Sequence, residues 1–207
     1  MEIKSLHKIL CLFFVFVWCA VYSQAENHTI FIGLKSGFGN EFENSNYTFT
    51  NEYYKLEWNY QLKKSSVFTY ELVVQPEINF GTHQLLNFYF VQPEEYNYLE
   101  RREKYTKMKD INQYIVNIGG IVRTAIYRGL SVYVQASVGP MISDTETERL
   151  SKGFAFSDVF GFGISIEKYN LRLDLGANVR HVSNAGLQSS NAGFNTKNIE
   201  LGLLYKL

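Results

Sequence analysis

Long stretches of this chain alternate apolar and polar residues, which is the pattern of β-strands with two different faces. In residues 52–62, Tyr54, Leu56 and Trp58 fall on one face and Lys55 on the other. The other stretches with this period are 29–38, 67–80, 112–127, 130–138, 154–167, 171–183 and 197–207. The pattern therefore predicts an all-β protein.

The number of strands follows from the lengths of the connections. A ninth apolar piece, 85–91, is best taken as an outer extension of the third strand, which then runs over 67–91. Membrane barrels have an even number of strands, with short turns on the periplasmic side and longer loops outside. With this assignment, long connections (39–51, the charged 93–110, 140–153 and 184–196) alternate with short turns (63–66, 128–129 and 168–170). Eight strands with both termini on the periplasmic side are predicted.

The N-terminal segment is predicted to be a secretory signal peptide. Lys4 and Lys8 precede an uninterrupted apolar run over 9–22, and small and polar residues follow it. This arrangement is typical of a segment removed on export, so we expect a signal peptide at 1–25 and a barrel at 26–207. Both cysteines, Cys11 and Cys19, lie in this segment. A disulfide framework, a thiolate zinc site and a cysteine nucleophile are therefore excluded from the mature chain.

Composition favours a membrane barrel over a soluble β-sandwich. A sandwich would also alternate, with one face packed in a core. The chain has 15 Tyr and 16 Phe, as expected for the aromatic girdles of an outer-membrane barrel. Its formal net charge of +0 gives no indication of a nucleic-acid partner. We therefore predict an eight-stranded antiparallel transmembrane β-barrel in the outer membrane of a Gram-negative cell.

The seventh predicted strand ends with residues that carry chemistry. Every second residue from Leu171 to Val179 is apolar, and the same face then continues with His181 and Ser183. This face is predicted to contact lipid near the extracellular end. Residues two apart on a strand project the same way, about 7 Å apart. Serine becomes a nucleophile when a neighbouring base accepts its proton, and histidine suits that role near neutral pH.

The residues around this pair resemble a known family. His181-Val182-Ser183-Asn184-Ala185-Gly186 is followed by Asn191-Ala192-Gly193 and a closing strand. This order is similar to the signature of the lipid A 3-O-deacylases, the PagL-type outer-membrane acyloxyacyl hydrolases. Residues 153–163, GFAFSDVFGFG, also resemble the preceding strand of that family. The specific resemblance covers the last third of the chain.

The resemblance implies an esterase whose site opens sideways into the outer leaflet. Ser183 would attack the ester carbonyl, and His181 would act as general base and then as general acid. Asn191, with backbone N–H groups around Gly186, would hold the oxyanion, and Asn184 would shape the exit from the strand. The implied substrate is lipid A of lipopolysaccharide, among outer-membrane lipids, and the implied chemistry needs no metal or other cofactor.

The third member of the catalytic group has two candidates. The resemblance implies an outward-facing glutamate early in the last strand, and Glu200 is the carboxylate available there. Alternation back from Leu201 places Ile199 outward and Glu200 inward, so Glu200 would need a β-bulge to reach His181. Asn195 is the other candidate, because an amide can also hold an imidazole tautomer. We expect Glu200.

Two alternatives remain. His83 and nearby carboxylates could indicate a metal site, but their basic neighbours favour a solvated outer loop and no metal; the carboxylates are Glu94, Glu95, Glu100 and Glu103. The alternative function is a non-catalytic structural or adhesive outer-membrane barrel that retains the motif.

Overall fold

The computed structural model describes residues 29–207, and the expected signal peptide at 1–25 lies outside the described residues. Eight antiparallel strands form a closed barrel in which each strand pairs with its sequence neighbours and β1 pairs with β8. The strands are β1 (Ile30–Glu41), β2 (Tyr47–Lys64), β3 (Phe68–Leu85), β4 (Lys109–Tyr127), β5 (Leu130–Ser143), β6 (Gly153–Lys168), β7 (Leu171–Ser183) and β8 (Phe194–Lys206). The predicted eight-stranded fold is confirmed.

The connections alternate in length as predicted, with one correction. Turns 65–67, 128–129 and 169–170 lie at the end of the barrel where β1 begins and β8 ends. Longer connections, 86–108, 144–152 and 184–193, lie at the opposite end, here called the loop end. The first connection was expected over 39–51, but it covers only 42–46, because β1 and β2 pair as far as Asn40 and Thr50.

The ninth apolar piece is not an extension of a strand. β3 ends at Leu85, Phe88–Phe90 form one 3₁₀ turn, and a helix, α1 (Tyr98–Thr106), follows. Leu85, Val91 and Tyr105 are buried against one another. The apolar residues therefore pack beneath α1 instead of prolonging the sheet. Within residues 29–207, no helix is long and apolar enough to span a membrane.

The two faces of the strands differ as the sequence pattern predicts. On β7, Leu171, Leu173 and Leu175 are exposed on the outer surface, whereas Arg172 and Asp174 are buried inside. Apolar side chains on the outer surface match the lipid-facing band of a membrane barrel. The strand period of two thus separates a lipid-facing surface from a polar interior.

Paired charges fill that interior. The buried cations of the strands are Lys35, Lys55, Arg123, Arg172 and Arg180, and the buried anions of the strands are Glu57, Glu71, Glu77, Asp174 and Glu200. Lys35 lies 3.0 Å from Glu57, and Arg172 lies 3.1 Å from Glu71. A buried charge is tolerated when it is paired, and the Arg172–Glu71 contact also joins β7 to β3 across the barrel.

An apolar cluster closes the interior at the loop end. Val182 of β7 lies opposite Phe194 of β8, and both side chains are buried. Phe194 stacks on Phe49 of β2 with ring centroids 4.7 Å apart, and Leu150 belongs to the same cluster. Because Val182 is held inside by this packing, its chain neighbours on β7 must point outward.

The lipid-facing assignment predicts the effect of placing a charge on the outer surface. Leu56, in the middle of β2, is 45% exposed on that surface. Leu56→Arg should destabilise the barrel by about 2–4 kcal/mol in lipid bilayers, because a midplane guanidinium must leave water. Urea unfolding in phospholipid vesicles measures the free energy.

Leu99→Arg is the matched control. Leu99 lies on α1, outside the strands, and is 67% exposed. A change of less than about 0.5 kcal/mol is expected there, as for ordinary surface substitutions. Equal effects of the two substitutions would contradict the lipid-facing assignment of β2.

Candidate functional site

His181 and Ser183 lie on the outer surface at the loop end of β7. His181 is exposed and Ser183, the last residue of the strand, is partly exposed. Val182 between them is buried in the apolar cluster. The structure therefore places the imidazole and the hydroxyl on the face that also carries Leu171 and Leu175, as the alternation predicts.

Asn195 contacts the imidazole of His181. The two residues are directly opposite in the β7–β8 register, and Nδ1 of His181 lies 2.8 Å from Oδ1 of Asn195. An amide oxygen only accepts hydrogen bonds, so Nδ1 carries the hydrogen and donates it. The other ring nitrogen, Nε2, is then left with a lone pair that can accept a proton.

Glu200 does not reach His181, and the expectation that it would is corrected. Its side chain is buried inside the barrel, where its carboxylate accepts hydrogen bonds from Tyr53 Oη at 3.0 Å and Asn178 Nδ2 at 3.1 Å. Lys55 Nζ lies 2.9 Å from the same carboxylate. The β7–β8 pairing runs without a shift past Glu200, so no bulge turns its side chain outward.

Ser183 lies two residues after His181 on the same strand and is not bonded to the imidazole. Among residues 29–207, no partner forms a hydrogen bond with the Ser183 hydroxyl. Catalytic hydrogen bonds are often long in ligand-free structures and shorten when the substrate binds. The two side chains share one face of β7.

Asn184 shapes the exit from β7. Its side chain is fully buried; Nδ2 donates to Ser190 O at 2.9 Å, and Oδ1 accepts the N–H of Gly186 at 3.1 Å. Ala185 and Gly186 adopt the left-handed region, with φ of 54° and 77°. The N–H of Gly186 is therefore occupied by Asn184, which corrects its expected role as an oxyanion donor. In the described part of the chain, the neighbouring N–H of Ala185 has no acceptor.

The side chain of Asn191 is fixed in one orientation. Its Oδ1 accepts the backbone N–H of Asn184 at 2.7 Å. This bond turns the amide nitrogen, Nδ2, away from Asn184, and no acceptor within residues 29–207 binds it. Asn191 thus offers free N–H donors in the loop that follows Ser183. Sequence reasoning identified this residue but not the bond that orients it.

Gly193 brings the loop close to the histidine before β8 begins. Its φ of 66° lies in the left-handed region, which glycine adopts without strain. A Cβ at this position would lie 2.2 Å from the carbonyl oxygen of Val182 and 3.5 Å from Cε1 of His181. The missing side chain therefore allows the chain to turn over the imidazole and to place Asn195 beside it.

The connection between β5 and β6 holds this loop from the other side. Arg149 Nε donates to the carbonyl of Gly193 at 2.6 Å, and the N–H of Gly193 donates to the carbonyl of Arg149 at 2.9 Å. Leu150 forms an isolated β-bridge with Asn191. The guanidinium of Arg149 also lies 4.3 Å above the ring of Tyr47. Sequence reasoning missed Arg149, because no motif relates it to residues some forty positions away.

The residues weighed as a metal site do not converge. His83 is buried, with Nδ1 2.9 Å from the carbonyl of Thr48 and Nε2 2.9 Å from a carboxylate oxygen of Glu148. Glu95 pairs with Arg101, and Glu103 pairs with Lys107. In the described part of the chain, no group of three or more His, Cys, Asp or Glu residues is arranged to hold a metal ion.

The fold and the site define an outer-membrane β-barrel that carries a potential nucleophile and a potential base on its lipid-facing surface. The family model "Lipid A 3-O-deacylase (PagL)" matches residues 32–203. The chain therefore belongs to the PagL family, as the motif around His181 indicates.

One solved structure supports this fold, and two others show a weaker likeness. The crystal structure of the outer membrane enzyme PagL has a TM-score of 0.53 at 12% identity and covers 82% of this chain and 97% of its own. Neisserial surface protein A has a TM-score of 0.49 at 10% identity, covering 88% and 99%. The Ail protein of Yersinia pestis has a TM-score of 0.41 at 15% identity, covering 88% and 100%. A search of curated protein sequences finds no significant match.

The interior position of Glu200 predicts a structural effect of its removal. Glu200→Gln should lower the free energy of unfolding by about 3 kcal/mol, because a buried ion pair loses one partner. This loss is at the low end of the range for a broken buried ion pair, because Lys55 Nζ still has a carboxylate oxygen of Glu77 at 3.8 Å. The ring resonances of His181 should not move in NMR spectra, whereas Asn195→Ala should move them. A shift of these resonances by Glu200→Gln would contradict the corrected assignment.

The contacts of Arg149 predict that its loss loosens the loop between β7 and β8. Arg149→Met should speed amide hydrogen exchange at Asn184 and Gly193 about 10- to 100-fold, as expected for the loss of charge-assisted hydrogen bonds. Lys152→Met, an exposed change in the same connection, is the matched control and should leave the exchange rates unaltered. Unaltered exchange in Arg149→Met would show that the loop is held by other contacts.

Proposed function

We propose that this protein hydrolyses the ester-linked acyl chain at the 3-position of lipid A by a serine/histidine mechanism. Membership of the PagL family supports the substrate class. The observation that carries the mechanism is the outward placement of His181 and Ser183 on the lipid-facing surface. A substrate embedded in the outer leaflet reaches that surface without leaving the membrane.

The first half of the reaction forms an acyl-enzyme. Ser183 Oγ attacks the ester carbonyl while its proton moves to Nε2 of His181. Asn195 supports this step, because its bond to Nδ1 leaves Nε2 unprotonated. The imidazolium then gives its proton to the leaving sugar oxygen as the carbon–oxygen bond breaks. Water enters with His181 again as base, and its attack releases the fatty acid and restores Ser183.

The loop after β7 supplies candidate donors for the oxyanion. The free Nδ2 of Asn191 and the N–H of Ala185 lie on the loop that starts directly after Ser183. Donors held in place before reaction cost no reorganisation when charge develops, and one such donor is typically worth about 100- to 1000-fold in kcat. In this proposal, Asn184 and Arg149 act on the loop and not on the substrate.

Mass spectrometry of lipid A tests the proposal. Cells that express the wild-type chain should contain lipid A lighter by one ester-linked acyl group, and cells that express Ser183→Ala or His181→Ala should not. Ser189→Ala, in the same loop, is the matched serine control and should act as the wild type does. Replacement of the nucleophile or the base typically costs at least about 1000-fold in kcat.

A non-catalytic outer-membrane barrel is the second candidate. It is favoured by one observation, which is that the Ser183 hydroxyl makes no hydrogen bond to His181 within residues 29–207. Identical lipid A from cells with the wild type and with Ser183→Ala would support this candidate and remove the enzymatic one. Purified, folded protein assayed on lipid A in detergent micelles separates poor expression from a lack of activity.

A further inference from the structure

A carboxylate lies beside His181 on the strand opposite Asn195. In the β6–β7 register, Asp158 is directly opposite His181, and in the β7–β8 register His181 is directly opposite Asn195. All three side chains are exposed on the outer surface. Directly opposite residues have Cβ atoms about 4.5–5.5 Å apart. The imidazole is thus flanked by an amide on one side and by a carboxylate on the other.

The carboxylate of Asp158 has no partner in the described part of the chain. The interior carboxylates differ, since Glu57, Glu77 and Glu200 each contact a buried cation. An ionisable side chain within the membrane-spanning part of a protein is costly and commonly has a functional role. Asp158 and His181 line one surface groove together with Val138, Phe160 and Val179. The carboxylate therefore faces the space beside the imidazole.

Asn195 cannot supply what a carboxylate supplies in a catalytic triad. Its amide oxygen fixes the tautomer of His181, but the amide carries no charge to stabilise the imidazolium formed when Ser183 loses its proton. The other charged group on this face, Lys197, lies diagonally across from His181, opposite Val179. Its positive charge disfavours the protonated form of His181. A negative charge close to the imidazole is therefore required to stabilise that form.

We propose that Asp158 is a positioning residue that stabilises the protonated form of His181 during the reaction. A single glutamate beside His181 would both fix the tautomer and supply a negative charge. In this protein the two functions are divided between two strands. Asn195 on β8 holds the tautomer, and Asp158 on β6 supplies the negative charge. This inference rests on the proposed function, because it concerns the step in which the Ser183 proton moves to Nε2 of His181.

A double-mutant cycle tests the division. Asp158→Asn removes the charge with little change of shape and should lower kcat by about 10- to 100-fold, the size of a charge interaction across roughly 6 Å in a partly screened site. Asn195→Asp replaces the amide that contacts Nδ1 of His181 with a carboxylate. The variant with both changes should therefore regain kcat to within about threefold of the wild type, a non-additive result that indicates coupling through His181.

The pH profile gives a readout that a merely structural role would not move. Without the charge of Asp158, the protonated imidazole is less favourable, so the acidic limb of kcat/KM should move to lower pH. Asn195→Asp should move it back. The charged groups that face His181 on β6 and β8 are Asp158 and Lys197, and Lys197→Met should move the limb the opposite way, to higher pH.

Glu52→Gln is the matched control. Glu52 is also an exposed carboxylate on the outer surface, but its cross-strand partners are Phe38 and Phe80. Its replacement should leave kcat and the pH profile unchanged. The difference in gel mobility between heated and unheated samples reports whether each variant forms the barrel.

Each outcome decides the inference. Wild-type kcat in Asp158→Asn would overturn it, and so would a rise in KM that Asn195→Asp does not reverse, which would assign Asp158 to substrate binding. If the wild-type protein is active, either of these two results leaves the proposed function standing. An inactive wild-type protein, equal to Ser183→Ala, would overturn both.

Discussion

The burial of Val182 is the interaction on which the candidate site depends. A β-strand gives each side chain one of two directions, and the apolar cluster at the loop end fixes which direction Val182 takes. Its packing with Phe194 sets His181 and Ser183 outward and pairs His181 with Asn195 at the same time. A shift of one residue in β7 would turn the imidazole and the hydroxyl into the interior, where the apolar cluster already occupies the space.

The polar interior explains why the candidate site lies on the outer surface. Buried cations and anions pair inside the barrel, so the charged inward positions serve the structure. Glu200 illustrates the consequence, because its carboxylate joins Tyr53, Lys55 and Asn178 and is not free to orient a histidine. The side chains that can meet a lipid substrate are therefore the outward ones, together with the loop that follows β7.

Much of the fold follows from the sequence alone, because the alternation of faces is a local property of each strand. Together with the connection lengths it predicted eight strands, and by itself it predicted the outward direction of His181. It also placed Glu200 inward, but the family resemblance led us to expect Glu200 beside His181, and that expectation was wrong. The limits of β1 and β2 were wrong, since Gly39 and Asn40 continue the pairing without an apolar pattern. The helix after β3 was missed because Val91 and Tyr105 are buried by contacts that periodicity does not reveal. Arg149 and Asp158 are distant from the His181 segment in sequence, so only loop contacts and strand register bring them close to it.

Cysteine scanning along residues 179–183 tests the central claim most directly, since the two native cysteines, Cys11 and Cys19, precede β1 in the sequence. Single cysteines would be placed in the barrel in phospholipid vesicles and treated with a lipid-soluble maleimide. Positions 179, 181 and 183 should react quickly, and positions 180 and 182 slowly. Fast labelling at 180 and 182, or equal labelling at all five positions, would contradict the outward placement of His181 and Ser183.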